Sequence, residues 1–125
     1  MVVPRLPYPS KLLRDAVVNK QNWVGLLSRG ILLPEAVTKL GVVRTDFGWL
    51  GAGIYFGDVL ETSLNYAEAG SRGTSMVAIA NVALGKVWET GTVDGSIKHA
   101  PKGFDSIHGD PNLDNSGFAD NEYCM

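Results

Sequence analysis

The apolar positions of this chain change their period several times along its length, and each change marks an element. Residues 1–10 show no period. Pro4, Pro7 and Pro9 stand too close together for a helix and set an extended lead-in. Ser10 can cap a short helix over 11–18. Trp23, Leu26 and Leu27 recur at i, i+3 and i+4, which predicts a helix with one face packed on the core. Gly30 stands where a C-terminal glycine ends such a helix. Pro34 and Glu35 open a connector. From 41 to 53 the chain is interrupted by Gly41, Gly48, Gly51 and Gly53, yet it carries Phe47, Trp49 and Leu50, which want burial. That combination predicts a long structured loop rather than a disordered one.

Gly53-Ile54-Tyr55-Phe56 is a short run of strand formers. Asp58 can then cap a helix to about residue 69, with Val59, Leu60, Ser63 and Tyr66 along one face. Gly70 and Gly73 bracket a turn. Residues 76–84 are almost all apolar, and their β-branched members predict a buried strand. Residues 86–89 read as its continuation past a bulge at Gly85. From Gly91 to Asp120 the texture is Gly, Asp, Asn, Ser and Pro, which is loop material. Asn121 to Met125 can begin a strand and then stops.

Composition narrows the classes. The 125 residues give room for one domain. With 45% apolar and 19% charged residues, disordered and fibrous chains are excluded. Eleven basic against 13 acidic residues, net −2, leave no basic excess for binding nucleic acid by charge. The single cysteine, Cys124, can form neither an internal disulfide nor a cysteine zinc site, which points to a reducing compartment. No stretch approaches the ~20 apolar residues of a membrane helix, and the prolines near the start make a poor signal peptide. The 15 glycines exceed ordinary usage and are the first hint of a site built from backbone.

Five blocks then fall in order. They are Asn22 to Gly30; Gly51-Ala52-Gly53-Ile54-Tyr55-Phe56-Gly57-Asp58 with Thr62 to Tyr66 behind it; Val82 to Lys86; Ala100 to Gly109; and Asn121-Glu122-Tyr123. Taken singly, their members have plainer readings. Tyr55 and Tyr66 can be core aromatics with a hydroxyl at the surface, Ser63 a small residue on a packed helix face, and Glu122 a solvated terminal charge. Together, in this order and spacing, the blocks resemble the catalytic domain of the poly(ADP-ribose) polymerase family. The likeness covers roughly residues 21–124, so residues 1–20 are a divergent lead-in and 21–125 the domain, truncated. The Leu-Leu-Pro turn after Gly30 and the Arg-Thr-Asp stretch at 44–46 most resemble the vault-associated branch.

The resemblance implies an α+β ADP-ribosyltransferase fold, with two small antiparallel sheets, flanking helices and NAD in the cleft between the sheets. It implies a transferase that breaks the nicotinamide–ribose bond of NAD, needs no metal and passes ADP-ribose to a protein. Glu122 and Tyr55 are then the catalytic candidates, and Tyr55, Ser63, Tyr66 and Gly53 the NAD-binding ones. Tyr66 would stack on nicotinamide, Ser63 would hydrogen-bond its carboxamide, and Glu122 would engage the ribose hydroxyl and stabilise developing positive charge. Neither direct nucleic-acid binding nor a membrane is expected, and the location would be intracellular, cytoplasmic or nuclear. The acceptor protein is not written in any motif.

Two departures qualify this expectation. The family's histidine-glycine pair precedes the Asn22 block. Counting without a gap places it at Ala16-Val17, and anchoring on Leu12-Leu13 places it at Asp15-Ala16; neither register supplies a histidine. His99 and His108 read as loop histidines with no catalytic part. Activity is therefore expected to be impaired, with an inactive NAD-binding or protein-interaction module, or an incomplete fragment, as alternatives. The resemblance also implies further strands after Glu122, so its strand is expected to be cut short beside an open edge.

Overall fold

The computed structural model describes residues 11–17, 23–32, 36, 39, 48–65 and 72–125. The connector at Pro34 and Glu35, most of the loop over 41–53 and the end of the second predicted helix lie outside them. In chain order the elements are β1 (Lys11–Val17), α1 (Trp23–Arg29), β2 (Tyr55–Gly57), α2 (Leu60–Asn65), β3 (Val77–Val82), β4 (Val87–Thr90), β5 (Ser106–Gly109) and β6 (Glu122–Cys124). They form two sheets, a pair β1-β3 and a four-stranded sheet in the order β2-β6-β5-β4.

The first sheet corrects two expectations. Residues 11–17 are a strand, not a capped helix. They pair antiparallel with β3 from Lys11↔Val82 to Val17↔Val77, with an irregularity between Arg14 and Ala16. Ladder bonds to a neighbouring strand outweigh a weak local helix preference. β3 itself is not buried throughout. Val82 faces the core, whereas Ile79 is 70% exposed and Met76 half exposed. A strand with one face on the core alternates, however apolar its sequence.

Gly85 does not bulge a single continuing strand. With φ +63° it sits in the left-handed region and hands the chain from one sheet to the other. A side chain there would strike Asp105, whose carboxylate accepts the Lys86 N–H at 2.7 Å. The second sheet is mixed rather than antiparallel. β2 and β5 each run antiparallel to β6, but β4 and β5 are parallel, Val87↔Ser106 to Thr90↔Gly109. Parallel neighbours need a long crossover, and residues 91–105 supply it.

β5 lies inside the stretch read as loop, and all four of its residues are buried. Its polar members are satisfied locally. Ser106 Oγ donates to the Leu84 carbonyl at 2.8 Å, and His108 bonds Asn121. His108 is thus a buried strand residue, not a loop residue. β5 also removes the expected open edge at Glu122, because it flanks β6 on the side away from β2. Three residues of β6 are enough when both edges are paired.

Two small cores occupy the two faces of this sheet. Phe56, Val82, Leu84 and Tyr123 form one, with Val87 and Ala80 against it. Leu50, Ile107, Phe118 and Cys124 form the other, with Tyr55, Trp88 and Ile97. α1 ends at Gly30, φ +76°, as its sequence predicts. Its expected core face does not hold at Leu27, which is 79% exposed together with Val24 one turn earlier.

Candidate active site

β2 and β6 bring the candidates together. The register pairs Tyr55 with Cys124, Phe56 with Tyr123 and Gly57 with Glu122. On the other side, β5 pairs Gly109 with Glu122. Residues directly opposite on antiparallel strands share a face, so Glu122 stands between two glycines. On that face a side chain at Gly57 would meet Ser63 Oγ at 3.3 Å, and one at Gly109 would strike the Phe118 ring. The carboxylate therefore has bare backbone on both flanks, with Ser63 bordering one and Phe118 the other.

α2 places Ser63. The helix rests on β1 and β2, and Ser63 is buried in that contact. Two side-chain bonds lock its N-terminal end to the approach of β6. Thr62 Oγ1 donates to Asp120 Oδ2, and Asn121 Nδ2 donates to Asp58 Oδ2 at 3.1 Å. The helix that carries Ser63 and the segment that delivers Glu122 are thus one unit.

Tyr55 is half buried, and its hydroxyl is engaged on backbone. It accepts the Leu50 N–H at 2.9 Å and donates to the Gly51 carbonyl at 2.7 Å. A side chain at Gly48 would overlap its ring. Burial, then the neighbouring Cys124, pushes this phenol well above its ordinary pKa. It stays protonated and clamps the Gly48–Gly51 turn. Gly53 is buried, and a side chain there would collide with Cys124 Sγ. Tyr66 lies outside the described residues. Asp15, Ala16 and Val17, the positions the two registers give for the family's histidine-glycine pair, fall at the irregular end of β1.

Glu122 is the electrostatically unusual group. Burial first, and the nearby Asp120 second, raise its pKa above the ordinary carboxylate value. The native state then keeps a proton that the unfolded chain has released. This contribution to stability is complete below the ordinary carboxylate pKa and is lost as pH rises through the folded value. Wild type and Glu122→Gln should therefore melt together near about pH 4, and the glutamine variant should melt higher near about pH 7. Thermal unfolding across that range checks it; equal melting temperatures at both ends would refute the raised pKa.

Sequence reasoning missed Gly109, Asp120 and Asn121. Gly109 and Asp120 sit in the stretch without periodicity and Asn121 just after it, and only their pairing with Glu122 and α2 gives them meaning. That Gly109 closes one ordered block and Asn121 opens another was the available signal.

A carboxylate set between two glycines is what β2, β5 and β6 build here. The family model described as poly(ADP-ribose) polymerase catalytic domain matches residues 18–122. The chain belongs to that family, and the ADP-ribosyltransferase fold comes with it. Over 90 residues it is 51% identical to protein mono-ADP-ribosyltransferase PARP4 of Homo sapiens and 49% identical to that of Mus musculus. These matches cover 71% of the chain and bear out the vault-associated branch that the Leu-Leu-Pro and Arg-Thr-Asp blocks indicated. Poly [ADP-ribose] polymerase 2-A of Oryza sativa subsp. japonica is 33% identical over 107 residues, 79% of the chain. The chain spans 5% of the human and mouse proteins and 15% of the rice one. No helix among the described residues is long and apolar enough to cross a membrane.

Proposed function

We propose that this chain is a domain that binds NAD, releases nicotinamide and moves ADP-ribose to a protein, slowly for its family. The observation that carries the reading is the pairing of Glu122 between Gly57 and Gly109, with Ser63 beside it. A flat substrate can lie against bare backbone, and a carboxylate there faces whatever positive charge develops.

In the proposed reaction the bond between the ribose anomeric carbon and the nicotinamide nitrogen breaks. Its electron pair goes to that nitrogen, which leaves as neutral nicotinamide. The ribose carbon carries positive charge until an acceptor side chain attacks and releases its proton to water. Glu122 stabilises that charge, Ser63 orients the carboxamide, and Tyr66 offers a stacking face. Gly53 and Tyr55 shape the wall. With its hydroxyl held by Leu50 and Gly51, Tyr55 acts as a positioning residue rather than a proton carrier. Without a histidine at positions 15–17 one orienting contact to NAD is lost, and such a loss can cost about 10²-fold in rate. A single transfer or slow NAD hydrolysis is then favoured over chain elongation.

The absent histidine also favours a second reading, an inactive NAD-binding or interaction module. The two separate in one experiment with the full chain and labelled NAD. Nicotinamide release with label on protein supports the transferase. Calorimetric NAD binding without release supports the inactive module, and the absence of both overturns NAD recognition.

A further inference from the structure

On the face of the sheet opposite Glu122, three potential ligands converge. Glu89 and His108 are paired across the parallel strands β4 and β5, and Asp110 follows β5 by one residue. One ligand atom from each lies within 4.8 Å of the others. Pairing with Tyr123 turns His108 away from the Glu122 face, so this cluster is separate from the proposed NAD site.

The buried histidine is oriented for a role at this place. His108 is only 7% exposed and its ring lies flat on Tyr123, centroids 4.4 Å apart and 5° from parallel. Its Nε2 stands 2.8 Å from Asn121 Oδ1. The amide nitrogen of Asn121 donates to the Asp58 carboxylate, so Asn121 has only an acceptor left for the ring. Nε2 must therefore carry the hydrogen, and in the neutral ring Nδ1 presents a lone pair. That lone pair faces Glu89 Oε1 at 3.8 Å, too far for a hydrogen bond. Two acceptors facing one another across such a gap are suited by a cation between them.

We propose that Glu89, His108 and Asp110 bind a divalent transition-metal cation of the zinc class. Imidazole with carboxylates is a donor set for such ions. Metal–ligand bonds near 2.0–2.2 Å let two ligands stand up to roughly 4 Å apart across the ion, which spans the His108–Glu89 gap. The side chain of Glu89 is 61% exposed and free to close on it. The outer partners are already in place. Asn121 fixes the histidine tautomer, and Asp110 Oδ1 is held by the backbone and side-chain nitrogens of Asn112 at 2.8 and 2.9 Å. The lone Cys124 excludes a cysteine site but not this one. Water would complete the coordination on the exposed side. The ion would tie β4 to β5 and, through Asn121, to the strand that begins at Glu122.

Calorimetry with Zn²⁺ alone on the full chain tests this. One saturable equivalent is expected, with a melting temperature that rises as zinc is added. Glu89→Gln and Asp110→Asn should each weaken affinity at least about tenfold, and Asn121→Ala about 10–100-fold. His99→Gln, which removes the other histidine, should change nothing. Because His108→Ala removes a buried ring and can unfold the chain, the exposed Glu89→Gln is the decisive variant. No saturable zinc binding, or binding untouched by Glu89→Gln and Asp110→Asn, overturns the site.

Discussion

Glu122→Gln is expected to lower nicotinamide release about 10²–10³-fold while the chain stays folded. The substitution keeps the size and shape of the side chain and removes only its charge. Register leaves that side chain between two glycines, so no neighbouring side chain on the strand can move in to replace it. Asp120, whose charge acts on Glu122, has its Oδ2 taken by Thr62. The loss should appear in kcat rather than in NAD affinity, because the charge it answers exists only once the bond is breaking. Single-turnover release at saturating NAD measures it. A drop below tenfold would remove Glu122 from the chemistry. The same variant is the one expected to gain thermal stability at neutral pH, so lost activity could not be blamed on a lost fold.

Tyr123→Ala should cost about 4 kcal/mol of stability. Tyr123 is 1% exposed, stacks on His108 and packs with Phe56, Val82 and Leu84. It is the middle residue of a three-residue strand with neighbours on both sides. Truncation empties the centre of one core and leaves the imidazole against a cavity. A domain of this size has a total of roughly 5–15 kcal/mol, so the substitution should remove between about a quarter and most of it and move unfolding to markedly lower urea. Tyr123→Phe keeps the ring and should lose about 1 kcal/mol or less. Urea unfolding midpoints of the three proteins decide it; a loss under 1 kcal/mol for the alanine variant would sink the claim that this ring organises the sheet.

The parts of the fold that were legible share a cause. Gly-Ile-Tyr-Phe and the helix after Asp58 announce themselves through strand formers and local spacing, forces that act within a few residues; the expected Asp58 cap does not form, because that carboxylate accepts from Asn121 instead. β1 and β5 were illegible because their structure is decided elsewhere. The ladder to β3 makes Lys11–Val17 extended. Ser106 and His108 are tolerated in a buried strand only because the Leu84 carbonyl and Asn121 satisfy them. No periodicity encodes such partners. The candidate site shows the same division. Glu122 looks like a solvated terminal charge until the ordered blocks are set side by side. Gly57 and the link from Thr62 to Asp120 emerge only from pairing across more than fifty residues of chain, and Gly109 only from the pairing of β5 with β6.

β6 alternates an acid, an aromatic ring and a thiol between two faces, and both its edges are paired. A slip of one position would send the carboxylate of Glu122 into the apolar cluster of Tyr123 and push the ring out onto the face of Gly57 and Gly109. Burying an unpaired carboxylate and exposing that ring are both unfavourable, and the penalties add. The short strand therefore proofreads its own alignment. A molecule that folds at all presents its acid between Gly57 and Gly109, so a folded population should contain one arrangement of this face rather than a mixture.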